Sequence, residues 1–457
     1  MEQTAQEAMT AKALIGPLEA DATRLGSFGT EFWKGIGSGI LAKSVGLLNQ
    51  LLAIPMVAYA LGQSGLSAFL LSISIASWFN LTALGSQNAL TVELVRARSS
   101  ENEARRFLAA ASLLYGAGAL FCLIAGFAFL FVHRSGVLGQ LPPGSVLCAA
   151  TMMNALYILT WMSEPVLAAH KKTHWFNFAS AAGSIASLAG TCAAYVLHLR
   201  PEAFVIAYYL SLVIPTVGMY ALTVHRGALR PRDYLGAAGA LRQLIERGWR
   251  NFGFQASWAL KTQVTLFLVA IISSSENVAD CGGAIRFCSL YVSGFSVLFN
   301  PLLAELSHLK REGKTLDFRR LWRRALARAA VAASLVTLVL LVVGPAGYRT
   351  WLGHVVPISS TTALLWSVMA AIVALEWLMI VLSSPVASTR ALSALVWSEG
   401  ILTIAIGYVL TRAIGVNGMF IAISSTSAVV LSALTVFMLR NDSHGWNGQG
   451  PSEPAFE

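Results

Sequence analysis

Long apolar runs separated by short polar or charged connections recur along the chain from Gly35 to Leu439. A helix needs about 20 consecutive apolar residues to cross the hydrocarbon core of a bilayer. A sliding window of about 19 residues predicts twelve such segments. They are roughly 36–61, 65–93, 107–132, 145–169, 175–198, 202–224, 251–273, 281–306, 325–345, 361–386, 391–411 and 415–439. The pattern predicts an all-α polytopic membrane protein.

The composition supports this prediction. Hydrophobic residues make up 56% of the 457 positions and charged residues only 12%, with a mean hydropathy of +0.65. Soluble domains carry about 25% charged residues, so the composition excludes a soluble enzyme, a secreted disulfide scaffold and a disordered chain. The five scattered cysteines form no motif and are expected to be buried thiols. The first 35 residues lack a cleavage pattern and do not resemble a signal peptide.

The basic residues predict how the chain is oriented. Of 32 lysines and arginines, 25 lie before the first segment, after even-numbered segments or after the last, and four lie in the other connections. Cytoplasmic loops carry the excess of basic residues in membrane proteins, so both termini are expected to be cytoplasmic. The net charge of +10 therefore reflects topology and contact with anionic lipid headgroups, and nucleic-acid binding is not expected.

Short internal similarities indicate two repeated halves. Three motifs recur in order about 212–220 positions later, with a matching hydropathy pattern. They are Asn88-Ala-Leu-Thr-Val-Glu93 with Asn300-Pro-Leu-Leu-Ala-Glu305, Ser163-Glu-Pro-Val166 with Ser383-Ser-Pro-Val386, and Trp33-Lys34 with Trp249-Arg250. Because each half has six segments, the halves are parallel repeats, which predicts two lobes related by a pseudo-twofold axis along the membrane normal. The expected divisions are an N-terminal cytoplasmic segment, an N-lobe, a basic linker, a C-lobe and a cytoplasmic tail, at 1–35, 36–224, 225–250, 251–439 and 440–457.

Three basic residues lie inside predicted segments, where charge is costly and therefore suggests function. Lys43, Lys261 and Arg286 are these residues. Helical spacing places Gln50 on the face of Lys43, and places Ser289, Ser293, Ser296 and Asn300 on the face of Arg286. A cavity lined by these groups would bind an anionic substrate. The alternatives are that the two lysines extend to the headgroups, and that Arg286 lies at the interface or pairs with Asp280.

Five acidic residues are candidates for gating or for coupling to H⁺ or Na⁺. They are Glu93, Glu164, Glu305, Glu376 and Glu399. Glu93 and Glu305 end equivalent segments and could join the halves through neighbouring arginines, or could simply balance the basic loops. Glu376 and Glu399 lie deeper, where a carboxyl group could carry a proton or pair with a buried partner.

The stretch from Pro55 to Arg106 resembles one known family. It reads P-M-V-A-Y-A-L-G-Q-S-G from Pro55 and A-L-G-S-Q-N-A-L from Ala83. These motifs are similar to those of the bacterial O-antigen and exopolysaccharide lipid-carrier flippases, within the multidrug/oligosaccharidyl-lipid/polysaccharide superfamily. Relatives often carry a basic residue just after Asn-Ala-Leu, whereas this chain has Thr91-Val92-Glu93 and its first cation at Arg96.

The resemblance implies a function. It implies flipping of an undecaprenyl-pyrophosphate-linked oligosaccharide across the bacterial inner membrane by alternating access, in the biosynthesis of surface polysaccharides such as lipopolysaccharide or exopolysaccharide. It also implies assembly partners such as a polysaccharide polymerase. Alternatives are a cation-coupled multidrug exporter of the same fold and, in another class, a membrane glycan polymerase or ligase. The sequence carries no nucleotide loop, metal cluster or nucleophile triad, so neither a cofactor nor catalysis is expected.

Overall fold

A computed structural model describes most of the chain. The described residues are 2–97, 100–134, 142–170, 172–224, 229–274, 277–289, 315–356, 359–383 and 389–443. Within these ranges the secondary structure is helical, with no strand. Among the described residues, nine helical stretches are long and apolar enough to cross a membrane. The protein is therefore a multi-pass membrane protein.

The first stretch contains two passes. Helix α1 (Glu2–Trp78) includes Gly62, whose φ of 67° and ψ of −174° interrupt the helix. The apolar stretch Gly37–Arg96 has 60 residues, about 90 Å at 1.5 Å per residue, or three times the thickness of a hydrocarbon core. The chain must therefore turn back at Gly62, between the predicted segments 36–61 and 65–93.

The second pass is broken near its end. A 3₁₀ turn (Phe79–Ala83) is followed by Leu84 and Gly85, both with positive φ, before α2 (Ser86–Arg96). The remaining passes of the N-lobe are α3 (Glu101–Arg134), α4 (Gly144–Leu159) with α5 (Ser163–Ala169), α6 (Thr173–Val196) and α7 (Pro201–Val224).

The C-lobe begins inside the predicted linker. A short helix α8 (Pro231–Leu235) precedes α9 (Ala237–Ala259), which continues through a π-helical turn (Leu260–Val264) into α10 (Thr265–Ile272). The other helices are α11 (277–289), α12 (Thr315–Trp351), α13 (Ser360–Ser383), α14 (Thr389–Ile414) and α15 (Val416–Ser443). Two passes in the first stretch, together with the other eight stretches and α12, account for eleven of the twelve predicted passes. The remaining predicted segment, 281–306, begins in α11 and extends outside the described residues. The predicted fold class is confirmed.

The turns distinguish the two ends of the bundle. Gly62, His198 and Gly415 have positive φ and follow odd-numbered passes, so they lie at one end, here called the Gly62 end. The 225–250 connection lies at the opposite end, here called the linker end. His198 and Gly415 are 217 positions apart, which places two left-handed turns at equivalent points of the repeats.

The lobes pack together toward the Gly62 end. One buried apolar cluster contains Leu70 and Ile73 of α1 together with Cys281, Ala284 and Trp366 of the C-lobe. Gly282 allows the closest approach, because a Cβ atom there would lie 2.7 Å from Leu70 Cδ1. Burial of apolar surface between the lobes therefore stabilises closure of this end.

Gln255 joins the lobes on the linker side. Its Nε2 donates to the Asn80 carbonyl oxygen at 2.9 Å, and its Oε1 accepts from the Gly85 backbone N–H at 3.2 Å. Both backbone groups belong to the broken part of the second pass. Non-helical backbone is tolerated at membrane depth only where protein or water satisfies its polar groups, and Gln255 satisfies two of them from the other lobe.

Candidate functional site

A buried ionic cluster lies in the C-lobe and is here called the triad: Lys261, Glu376 and Glu399. Lys261 Nζ donates to both Glu376 carboxylate oxygens at 2.8 Å and forms an ion pair with Glu399. Lys261 is 6% exposed, and each glutamate is 2% exposed. Charged groups are buried in proteins when they are paired and hydrogen-bonded, and that is the condition of all three residues.

Four structural elements of the lobe supply the site. The π turn carries Lys261, α13 carries Glu376, α14 carries Glu399, and α15 adds Ser427. Ser427 Oγ donates to Glu399 Oε1 at 2.9 Å and lies 3.4 Å from Lys261 Nζ. The cluster therefore ties three passes to the helix that enters from the linker.

Local sequence explains why these helices meet. Gly400 lets α14 approach α9 closely, because a Cβ atom there would lie 2.9 Å from Leu260 Cδ1 and 3.1 Å from Ser257 Cα. Small residues at membrane helix interfaces permit such contacts. Lys261 itself lies in the π turn, and single π turns within α-helices frequently occur at functional sites.

The charges of the triad do not balance. One ammonium faces two carboxylates, so the fully ionised cluster has a charge of −1. Addition of one proton to either carboxyl group would make the cluster neutral.

Lys43 is the candidate cation of the N-lobe. It is exposed on α1, and its charge acts on Glu164 of α5, which is also exposed. Lys43 lies six residues inside the apolar stretch that starts at Gly37, about 9 Å from its end.

Lys43 and Lys261 occupy similar positions in the two repeats, because they are 218 positions apart. The repeated motif at Ser163 and Ser383 places Ser384, not Glu376, opposite Glu164, so the acidic partners are not repeated. Lys43 is exposed, whereas Lys261 is buried between two carboxylates.

Arg286 contacts the other lobe. Its guanidinium lies 5.5 Å from the centre of the Tyr208 ring, and Nη1 donates to the Tyr208 hydroxyl at 3.2 Å. Arg286 is half-buried and lies nine residues into α11, about 14 Å from the helix start. The predicted neighbour Ser289 donates back to the Ile285 carbonyl of its own helix at 2.9 Å.

The other candidates divide into those that the structure describes and those that it does not. Gln50 is half-exposed on α1. Glu93 is 4% exposed and forms ion pairs with Arg96 at 3.8 Å and with Arg247 of α9. It therefore joins the second pass to α9. Ser293, Ser296, Asn300 and Glu305 lie outside the described residues.

Lys261 differs most from its predicted role. The sequence places it among cations that face an anionic substrate, whereas the structure surrounds it with two carboxylates and a hydroxyl. The alternative prediction is that the Lys261 side chain extends to the lipid headgroups. The structure instead buries this side chain. Within the described ranges, no cluster of three or more His, Cys, Asp or Glu side chains could hold a metal ion.

Comparisons with known proteins identify the fold. No family model matches the sequence, and no curated protein matches it. A multidrug resistance MATE family transporter of the MOP superfamily, in an inward-facing conformation, superposes with a TM-score of 0.69 at 12% identity, over 89% of this chain and 98% of that chain. An outward-facing MATE structure gives 0.63 at 13% identity, over 90% and 96%.

A lipid II flippase has the same fold. The inward closed conformation of MurJ superposes with a TM-score of 0.63 at 13% identity, over 88% of this chain and 86% of that chain. This chain therefore has the two-lobe fold found in both drug transporters and a lipid flippase.

Proposed function

We propose that the protein flips an undecaprenyl-pyrophosphate-linked oligosaccharide across a bacterial inner membrane by alternating access, for surface polysaccharide biosynthesis. The observation that carries the proposal is Lys43, an accessible cation about 9 Å inside the apolar stretch of α1 in a fold shared with a lipid II flippase. The sequence motifs around Gly62 and Asn88 add the resemblance to polysaccharide flippases.

Lys43 is suited to an anionic headgroup. An ammonium in a partly dehydrated site binds phosphate oxygens through charge-assisted hydrogen bonds, and the lipid tail of the substrate can stay in the bilayer. Arg286 is the second candidate, since its side chain reaches across the lobe interface to Tyr208. Movement of the lobes would separate Arg286 from Tyr208 and expose the guanidinium to the substrate.

The triad is the candidate for ion coupling. Proton transfer to and from Glu376 and Glu399 changes the buried charge between zero and −1, and a buried net charge disfavours any state that keeps it from water. We expect Glu399→Gln to make substrate flux independent of an imposed pH gradient, while Ser432→Ala on the exposed face of α15 leaves the dependence unchanged.

The test uses the purified protein in liposomes. The assay follows undecaprenyl-pyrophosphate-linked oligosaccharide as it reaches the opposite leaflet. We expect Lys43→Ala to lower flipping by about 10–100-fold, the value of one charge-assisted hydrogen bond, and Lys43→Arg to retain most activity. Lys172→Ala, an exposed lysine beyond α5, is the matched control. Normal flipping by Lys43→Ala would contradict the proposed role of this cation.

A multidrug exporter is the second candidate, and the surplus carboxylate of the triad is the observation that favours it. A negatively charged site suits a cationic substrate, and MATE transporters have this fold. Efflux of a fluorescent organic cation from the same liposomes distinguishes the two functions. Efflux that needs Glu399 but is indifferent to Lys43→Ala, together with no flipping of the lipid-linked glycan, would support drug export.

The predicted location and partners belong to the same proposal. Cytoplasmic termini would place the linker end, with Lys43, toward newly made lipid-linked glycan. A polysaccharide polymerase on the opposite side of the membrane would then receive the product.

A further inference from the structure

A water-sized cleft lies beside the triad, between α9 and α13. Its lining includes Phe254, Ser257 and Trp258 of α9, Lys261 of the π turn, and Glu376 and Trp377 of α13. The Trp258 and Trp377 rings are in contact, with their centroids 6.3 Å apart. The space left between the side chains is ≈ 20 Å³, and a site needs about 10–15 Å³ to hold one water molecule. The cleft therefore has room for a single water and for nothing much larger.

Two polar groups of the lining have no hydrogen-bond partner among the described residues. They are the buried Ser257 hydroxyl and the buried Trp377 Nε1–H. Ser257 is 1% exposed, so bulk solvent does not supply its partner. Burial of an unbonded polar group costs free energy, so a small molecule that bonds both groups would gain by binding in the cleft.

The chemistry of the lining selects water as that molecule. Trp377 Nε1–H can only donate a hydrogen bond, whereas an ionised Glu376 carboxylate can only accept one. Water does both. A metal cation would gain nothing from an N–H donor and would be repelled by the Lys261 ammonium. Buried waters typically make about three hydrogen bonds to otherwise unsatisfied groups, and Ser257, Trp377 and Glu376 supply three.

Glu376 keeps the capacity to bond this water. Its two oxygens each accept from Lys261 Nζ at 2.8 Å, and an ionised carboxylate has about four acceptor sites. Two sites therefore remain. Glu376 is also one of the two carboxylates whose protonation would neutralise the triad, so a water bonded to it lies on a path for that proton.

The cleft follows α9 from the linker side to the triad. Phe254, Trp258 and Lys261 are separated by four and three residues, so they share one helical face. Phe254 lies two residues after Phe252, where the apolar stretch begins, and Lys261 lies nine residues after it, about 14 Å along the helix. The cleft therefore leads from near the linker end to the buried charges.

We propose that one water molecule in this cleft, positioned by Ser257 and Trp377, carries protons between the linker end and Glu376. This inference rests on the proposed coupling of the triad to protons and identifies the route. A hydronium ion at the linker side gives a proton to the oxygen of this water, while the O–H bond directed at Glu376 breaks and its proton passes to the carboxylate. Two neutral waters and a neutral Glu376 result. Ser257 and Trp377 are positioning residues, because they hold the water and take up no proton.

The test follows proton uptake by the triad in the absence of any transported substrate. Infrared spectroscopy of the purified protein in liposomes records the carboxyl C=O band after a rapid drop in pH, and Glu376→Gln identifies the contribution of Glu376. We expect Ser257→Ala and Trp377→Phe each to slow uptake about tenfold, the effect of one lost hydrogen bond. Ser257→Val also fills the space of the water and should slow uptake further.

A second infrared measurement detects the water itself. In heavy-oxygen water, the O–H band of the bound molecule should shift in the wild type, and Ser257→Val should lack this band. Ser367→Ala is the matched control, because Ser367 is also fully buried but donates to the Ala363 carbonyl of its own helix at 2.8 Å. It should leave the rate and the water band unchanged, and thermal melting of each variant monitors folding.

The possible outcomes separate this inference from the proposed flipping. Wild-type uptake rates in both Ser257→Val and Trp377→Phe, or a water band that persists in Ser257→Val, would overturn the water site and leave glycan flipping intact. A carboxyl band that responds to Na⁺ at constant pH would indicate a sodium site and overturn the proton route. Absence of flipping by the wild type, measured in parallel with the lipid-linked glycan, would instead contradict the proposed function.

Discussion

The role of a single lysine depends on what surrounds it. Lys43 and Lys261 lie at equivalent places in the two repeats, yet one is exposed beside one glutamate and the other is buried between two. Exposure keeps the charge of Lys43 available to a substrate. Burial pairs the charge of Lys261 with the neighbouring carboxylates. The same residue type therefore lies in two different environments in the two repeats, and we expect the two lysines to have different roles.

The triad predicts a specific stability pattern. Lys261→Met leaves two buried carboxylates without a cation, and breaking a buried ion pair from one side typically costs about 3–5 kcal/mol. We expect a large drop in the melting temperature of the purified protein. Replacing all three charges, as Lys261→Met with Glu376→Gln and Glu399→Gln, should recover most of the loss because no buried charge remains.

Lys172→Met, at an exposed lysine beyond α5, serves as the surface-charge control for this series. A triple variant no more stable than Lys261→Met alone would show that the cluster is not held by compensation of charge.

At the scale of elements, the membrane passes are shaped by breaks. Gly62 ends the first pass, the 3₁₀ turn with Leu84 and Gly85 breaks the second, and the π turn interrupts the seventh. Each break exposes backbone groups or turns a side chain, which is tolerated in a membrane only within protein or next to water. The breaks therefore mark the places where the lobes contact each other and where Lys261 enters its site.

Gly62 provides a test of this view. Its φ of 67° with ψ of −174° lies in a region that is almost restricted to glycine, and a side chain there costs roughly 1–3 kcal/mol. We expect Gly62→Ala to lower the melting temperature and the yield of folded protein. No atom outside α3 lies within 4 Å of a Cβ built at Gly116, so Gly116→Ala should be neutral or slightly stabilising. Equal stability of the two variants would contradict the strained turn.

At the scale of the whole molecule, the two lobes are closed at the Gly62 end. The apolar cluster that contains Leu70 and Trp366 crosses the lobe interface, while Lys43 near the linker end stays accessible. The proposed alternating access would require the Gly62 end to open, and burial of apolar surface there opposes opening. In the proposed cycle, this is the state that would receive substrate from the linker end.

A reversible cross-link tests whether that end must open. A Cβ atom at Gly282 would lie 3.4 Å from Leu70 Cβ, close to the 3.5–4.5 Å typical of disulfides. In a background without the five native cysteines, we expect Leu70→Cys with Gly282→Cys to abolish transport under oxidation. Reduction should restore it, and each single variant should be insensitive to oxidant. Undiminished transport by the cross-linked protein would show that this end does not open.

The sequence alone determined the twelve passes and their division into two lobes. Both depend on the order of apolar and polar residues along the chain, because about 20 apolar residues favour a membrane helix wherever they occur. The end of the first pass near Gly62 also follows from local sequence, since glycine favours the required backbone conformation. The candidate residues Lys43, Lys261 and Arg286 could be selected in the same way, from the cost of burying charge.

Only the tertiary structure decided what those residues do. Lys261 meets Glu376 after 115 positions and Ser427 after 166 positions, and Arg286 meets Tyr208 in the other lobe. Such contacts depend on how helices pack against one another, and hydropathy does not encode which helix faces become neighbours. Packing placed Lys261, which the sequence predicts to bind substrate, at the centre of a charge-paired cluster.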